Sequence, residues 1–231
     1  MIVNIIRVMQ MIAGLYSGGK DSTLAIHRMH DIGKDVELLI SLISKNNFSY
    51  MLQRVNVEWS RLQAEAMGIR QVFWDTEGVK EKELEDIENA LRENGVTELV
   101  TGAVASSYQR DRINKICEKL GIAHHAPLWG MDPVKELEEL SANFNVIITQ
   151  VAAEGFDESL LGARLDGSMI ERLKAINQKH HVNMSFEGGE AESYVLDAPL
   201  FRKRIEIKRV RKELEGTMGR YIIEDAVLVR K

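Results

Sequence analysis

Six consecutive residues, Ser17-Gly18-Gly19-Lys20-Asp21-Ser22, hold the densest chemistry in the chain. They follow an apolar run, Ile12 to Tyr16, and precede a stretch with helical spacing, so the glycines fall at a strand-to-helix turn. Glycines there let backbone N–H groups turn inward. The helix N-terminus adds unsatisfied donors and the positive end of its dipole. Lys20 contributes a mobile cation, and Ser17 and Ser22 contribute hydroxyls. A phosphate suits such a site. Asp21 is out of place beside an anion unless it holds a divalent cation or caps the helix. The spacing is not that of the Walker loop, which needs Gly-x-x-x-x-Gly-Lys-Ser/Thr. Taken alone, a Gly-Gly turn with Ser and Asp neighbours is also an ordinary tight strand–helix connection.

Two further segments carry chemistry-bearing residues. Thr101-Gly102-Ala103-Val104-Ala105-Ser106-Ser107-Tyr108-Gln109-Arg110-Asp111-Arg112 sets a glycine, hydroxyls, an amide and arginines where a strand becomes a helix. In an open parallel sheet ligands collect at that carboxyl edge. Gln109 and Arg112 are three apart, on one helical face; the plainer reading is a helix with solvated arginines. Glu187-Gly188-Gly189-Glu190-Ala191-Glu192-Ser193 places three carboxylates around a flexible turn, which is otherwise a solvated acidic hairpin. His124-His125 and His180-His181 are adjacent pairs whose members point apart, so neither pair makes a metal site alone. The single cysteine, Cys117, reads as a small core residue, which removes disulfide frameworks and cysteine-dependent nitrogen or sulfur transfer.

The elements that must position these groups alternate. Strands are expected over Ile12 to Tyr16, Val36 to Ile43, Gln71 to Trp74 and Leu99 to Val104. Helices are expected over Asp21 to Ile32, Val55 to Met67, Lys80 to Asn94 and Tyr108 to Leu120. That order predicts a parallel sheet covered by helices. The alternation breaks between Pro127 and Pro133. Beyond it come a helix (Val134 to Leu140), a strand (Val146 to Ala152), a helix (Met169 to Gln178) and a strand-rich tail from Ala191. The expected fold class is therefore α/β, a Rossmann-like parallel sheet with a second, smaller α+β domain. The domains divide as 1–130 and 131–231.

At 231 residues the chain can bury a core without disulfide or metal staples. Its formal net charge of −5 argues against stable nucleic-acid binding, although Arg202 to Arg204 and Lys208 to Lys212 make a local basic stretch. Cysteine usage fits a reducing cytosol. The apolar run Met1 to Tyr16, interrupted by Asn4, Arg7 and Gln10, reads as neither signal peptide nor membrane span.

The hexapeptide at the first strand-to-helix turn resembles the PP-loop of the N-type ATP pyrophosphatases, which adenylate a substrate and release pyrophosphate. Together with Gly102 to Arg112, Pro127-Leu128-Trp129, Leu161-Gly162, Glu187 to Glu190 and Pro199-Leu200-Phe201, it looks like the diphthine–ammonia ligase family within that group. The resemblance runs through essentially the whole chain. In the family an aromatic commonly follows Glu-Gly-Gly-Glu, where this chain has Ala191. Threonine is usual where Ser193 stands, and Phe-His is frequent where Leu52-Gln53 stands.

What the resemblance implies is the last step of diphthamide synthesis. ATP would activate the carboxylate of diphthine on elongation factor 2, and free ammonia would form the amide, leaving AMP and pyrophosphate. Ser17, Gly18, Gly19, Lys20, Asp21 and Ser22, with Gly102, Gln109 and Arg112, would bind ATP. Mg²⁺ would bridge phosphate oxygens and Asp21. Glu187, Gly188, Gly189, Glu190 and Glu192 would serve the acceptor or ammonium, with Lys20, Asp21 and Glu190 catalytic. The acidic turn is expected at the carboxyl edge, its carboxylates facing the α-phosphate across a domain cleft. Lys20→Ala is expected to reduce turnover by orders of magnitude and leave the fold intact. Another acceptor, such as a tRNA base, and a non-catalytic ATP- or AMP-binding sensor are the competing readings; homo-oligomerisation stays open.

Overall fold

A computed structural model describes residues 10–44, 55–79, 82–186 and 188–231. Among these residues the chain forms two sheets. In the first, β1 (Ile12–Leu15), β2 (Leu38–Ser44), β3 (Arg70–Thr76), β4 (Glu98–Val100) and β5 (Ala123–His125) run parallel in the order β3-β2-β1-β4-β5. That order places β1 at the centre and its carboxyl end where the connections diverge to either side, which is where such sheets bind ligands. Strand β5 was not expected. Three residues, two of them histidines, give no apolar pattern; the strand is set by pairing to β4, with Leu99 opposite His124.

The first βα connections follow from local sequence. Helix α1 spans Lys20–Asp31, α2 Ser60–Met67, α3 Lys82–Glu93 and α4 Ser107–Leu120. Gly68 and Gly121 close α2 and α4 in left-handed conformation. Ser106 caps α4 by accepting from Gln109 N–H. Strand β4 is shorter than the expected Leu99 to Val104, because the chain leaves the sheet at Thr101. Helix α2 also starts later than the expected Val55: a 3₁₀ turn over Val57–Trp59 precedes it. The departure at Leu52-Gln53 lies outside the described residues.

Alternation along β2 divides the core. Leu38, Ile40 and Leu42 face Ile87 and Leu91 of α3 and Ile113, Ile116 and Cys117 of α4. Leu39 faces the other way, into a cluster with Leu24 and Met29 of α1 and Leu62 of α2. That cluster does not stop at the first sheet. It continues without a break into Leu137, Val146, Tyr194, Phe201 and Ile223.

Those residues belong to the second half of the chain. Helix α5 (Pro133–Asn143) starts on Asp132, which accepts from Val134 and Lys135 N–H, with Pro133 in the first turn. Helix α6 spans Gly167–His180. The strands β6 (Asn145–Val151), β7 (Ala191–Asp197), β8 (Arg204–Glu215) and β9 (Met218–Val229) form an antiparallel sheet in the order β7-β6-β9-β8. This sheet covers α1 and α2. Tyr194 Oη donates to Trp59 O at 2.8 Å, Trp59 Nε1 to Ile223 O at 2.8 Å, and Arg202 N to Ala66 O at 2.7 Å. No helix among the described residues is long and apolar enough to cross a membrane.

Candidate active site at the carboxyl edge of the parallel sheet

The hexapeptide folds as the turn from β1 into α1. Tyr16 N–H still pairs with Ile40 O, and Gly18 then takes φ +82°, a left-handed value that favours glycine. Gly19 is the N-cap of α1 and supplies no side-chain cap. Ser17 and Ser22 hydroxyls lie 3.3 Å apart across the loop, and Gly19 N–H donates to Ser17 Oγ at 3.3 Å. Gly102 closes the loop from the neighbouring strand. A Cβ there would sit 2.6 Å from the Asp21 carbonyl carbon and 2.7 Å from Ser22 N, both backbone atoms, so only glycine fits. A helix start whose N-cap residue has no side chain, framed by two obligatory glycines, suits a phosphate.

Lys20 is not a mobile cation. Its side chain is fully buried, and Nζ donates to Asp21 Oδ1 at 2.5 Å and to Glu136 Oε1 at 2.6 Å. Glu136, in the first turn of α5, is also fully buried, and its second oxygen accepts from Ser185 Oγ at 3.0 Å. The Phe186 ring centroid lies 5.4 Å from the ammonium. Burial raises the Asp21 carboxyl well above its usual range, and the Glu136 charge adds to this against the pull of Lys20. Burial also presses on Glu136. The Lys20 ammonium and hydrogen bonds from Asp21, Lys20 and Ser185 nonetheless hold it below the ordinary carboxylate value. About a third of the Asp21 side chain stays accessible, so Asp21, not Glu136, is the carboxylate a phosphate-borne cation would meet. Among the described residues no group of three or more His, Cys, Asp or Glu could hold a metal by itself.

The second sheet reaches the loop through β7. Lys20 N–H donates to Ser193 Oγ at 3.1 Å, and Val195 N–H to Gly18 O at 3.2 Å. Gln63 of α2 clamps the junction, its Nε2 donating to Gly18 O and Val195 O at 2.9 and 2.8 Å. No open domain cleft separates the loop from β7. Hydrogen bonds and a continuous core join them, because both sheets bury their apolar faces on the same two helices.

The acidic turn behaves differently from expectation. Glu187 lies outside the described residues. Gly188 and Gly189 are exposed, at φ +84° and +81°. Glu190 Oε2 accepts from Asn183 N–H at 2.6 Å, and burial raises its pKa against that bond. Glu192 Oε2 accepts from Val55 N–H at 3.1 Å. Strand alternation explains the arrangement: Glu192 and Tyr194 face Val55 to Trp59, while Ser193 faces the loop. The turn's neighbours reach the site, and the two described carboxylates each bind backbone.

In α4, Arg112 folds back on its own helix, its guanidinium 3.5 Å from the Tyr108 ring centroid, and donates to Tyr108 O at 3.4 Å. Gln109 shows the capping bond at its backbone N–H. Arg110 lies over the Trp129 ring at 3.7 Å. His124 is half-buried against Thr101 Oγ1 and Asn114 Oδ1, and burial lowers its pKa to about 4. Burial pushes the Cys117 thiol up to about 11, which leaves it no nucleophile. Glu136, Ser185 and Gln63 were absent from the sequence-derived site. The helix expected from Val134 holds Glu136 in its first turn, but nothing local says what that turn faces.

Residues 9–124 match the family model described as the diphthamide synthase N-terminal domain, and residues 132–229 the one described as its C-terminal domain. The chain belongs to the diphthamide synthase family. Among its curated relatives, diphthine–ammonia ligase of Homo sapiens is 33% identical over 218 residues, covering 84% of this chain and 81% of that protein. The Bos taurus protein of the same name is 35% identical with the same coverage. That of Schizosaccharomyces pombe is 33% identical over 216 residues, but the match spans only 35% of its length.

Proposed function

We propose that this diphthamide synthase is an ATP-dependent acid–ammonia ligase that amidates diphthine on elongation factor 2. The carrying observation is the joint one: both halves of the chain match the family's two domains, and the glycine loop sits at the centre of the sheet's carboxyl edge.

The loop 17–22 and the first turn of α1 hold the β- and γ-phosphates, and Gly102 allows the backbone to approach. Asp21 is the residue that would hold a Mg²⁺ here, and the ion would supply positive charge to offset that of the phosphates. An acceptor carboxylate oxygen attacks the α-phosphorus, and pyrophosphate leaves. Ammonia attacks the acyl carbon of the mixed anhydride, expelling AMP and yielding the amide and a proton. Lys20 supplies positive charge at the loop, and a preorganised donor of this kind commonly contributes about 3 kcal/mol to the transition state. In this reading Gln109 and Arg112 of α4 serve the nucleotide, and the turn with Glu190 and Glu192 serves the acceptor side. The reducing cytosol is where such a substrate and a lone thiol are at home.

The deciding experiment identifies the nucleotide product with diphthine-bearing elongation factor 2 and ammonium present. AMP plus pyrophosphate, dependent on both, is expected. ADP plus phosphate, or ATP binding with no AMP, would overturn the ligase reading; the second result is the signature of a sensor.

A further inference from the structure

We propose that Glu136 is a positioning residue for this reaction, holding the Lys20 ammonium at the glycine loop from the second half of the chain. The inference rests on the ligase reading above. Four observations carry it. Lys20 and Glu136 are both fully buried, and their 2.6 Å contact joins the first residue of α1 to the first turn of α5, 116 positions apart. Glu136 is itself fixed, since Ser185 Oγ donates to its other oxygen. Ser185 and Phe186 directly precede the acidic glycine turn, so one carboxylate ties the phosphate loop to the segment leading into that turn. Finally, among the described residues Asp21 is the one other carboxylate in contact with Lys20, and it adjoins Lys20 in sequence and keeps access to solvent.

A lysine with four rotatable bonds has no fixed position of its own. Contacts to two carboxylates, Asp21 and Glu136, give it one. Glu136 therefore contributes geometry rather than attraction for nucleotide: its own negative charge beside the loop opposes the phosphates. These two effects have opposite signs in different kinetic constants, and that separates positioning from mere structural support.

The test compares Glu136→Gln, Glu136→Asp and wild type in initial rates of AMP formation, in ATP affinity by calorimetry and in thermal unfolding. Glu136→Gln keeps the volume and one acceptor oxygen, turns the other into an N–H donor that a hydroxyl can accept, and removes the charge. It should lower kcat by about 10- to 100-fold, the scale on which misplacing a group affects rate. The ATP KM and dissociation constant should stay equal or fall. Glu136→Asp should recover part of kcat. Should Glu136→Gln fail to fold, Ser185→Ala frees the Glu136 carboxylate on one side and should lower kcat in the same sense, by less. A wild-type kcat in Glu136→Gln overturns the proposal. So does ATP binding that weakens in step with kcat, which marks a collapsed loop. A wild-type protein that makes no AMP at all refutes the ligase reading instead.

Discussion

Replacing Lys20 by methionine tests the buried ion cluster most directly. The substitution keeps the unbranched stem and removes the ammonium. Glu136 then sits fully buried with no cation, held only by hydrogen bonds from Ser185 Oγ and Asp21. Breaking a buried pair by deleting one partner typically costs about 3–5 kcal/mol, against roughly 0–1 for an exposed pair. For a chain of this size each kcal/mol moves Tm by about 2–4 °C, so the fall should be roughly 6–20 °C. The double variant Lys20→Met/Glu136→Leu removes both charges and should recover most of that loss, leaving the Ser185 hydroxyl and the partly accessible Asp21 carboxyl without these partners. Thermal unfolding by circular dichroism near neutral pH is the assay, with ATP affinity measured alongside. Both variants should bind ATP poorly, because neither has the cation. If Lys20→Met melts within a degree or two of wild type, Lys20 is not buried between two carboxylates. If the double variant melts as low as the single, an uncompensated Glu136 is not the cause. Either result refutes the reasoning, and with it the correction to the expectation that removing Lys20 spares the fold.

Gly102→Ala places a methyl 2.6–2.8 Å from the backbone of Asp21 and Ser22. The start of α1 must shift, and AMP formation should fall by about 100-fold or more while unfolding shifts far less; near-normal turnover would show that the loop tolerates displacement. His27 donates from Nδ1 to Thr23 O and accepts Leu200 N–H on Nε2, so it is held neutral, and burial lowers its pKa from 6.5 to about 4. Below pH 6.5 the unfolded chain takes up a proton that the folded chain refuses until about pH 4. Stability should therefore decline through that window by up to about 3 kcal/mol, and a His27→Gln variant should show a shallower slope; an unchanged slope would assign the effect to His124 or elsewhere. Ser193→Ala leaves the buried Lys20 N–H without its acceptor and should cost about 1–3 kcal/mol in urea unfolding. Ser193→Thr keeps the hydroxyl and should be nearly neutral; equal loss in both would point to packing instead.

Local physics made much of this protein legible from its sequence. Glycines at a strand-to-helix turn, the nearly continuous apolar run of β2, the helical spacing from Val134 and the glycines that close α2 and α4 act over a few residues, so their consequences appear in sequence order. The glycine loop, its strand and its helix were expected where they occur. What no local pattern carries is which surfaces meet. Lys20 follows two glycines and looks mobile, yet a helix start from beyond residue 130 places Glu136 against it and buries both. Glu190 and Glu192 look like ligands for a cation, but strand pairing turns them onto the backbone of Asn183 and Val55 and sends Ser193 to the loop instead. The expected division at Pro127 to Pro133 gives no hint that α1 and α2 serve both sheets. Those outcomes depend on long-range burial of two apolar faces on the same pair of helices, a property of the folded chain that adjacent residues do not encode.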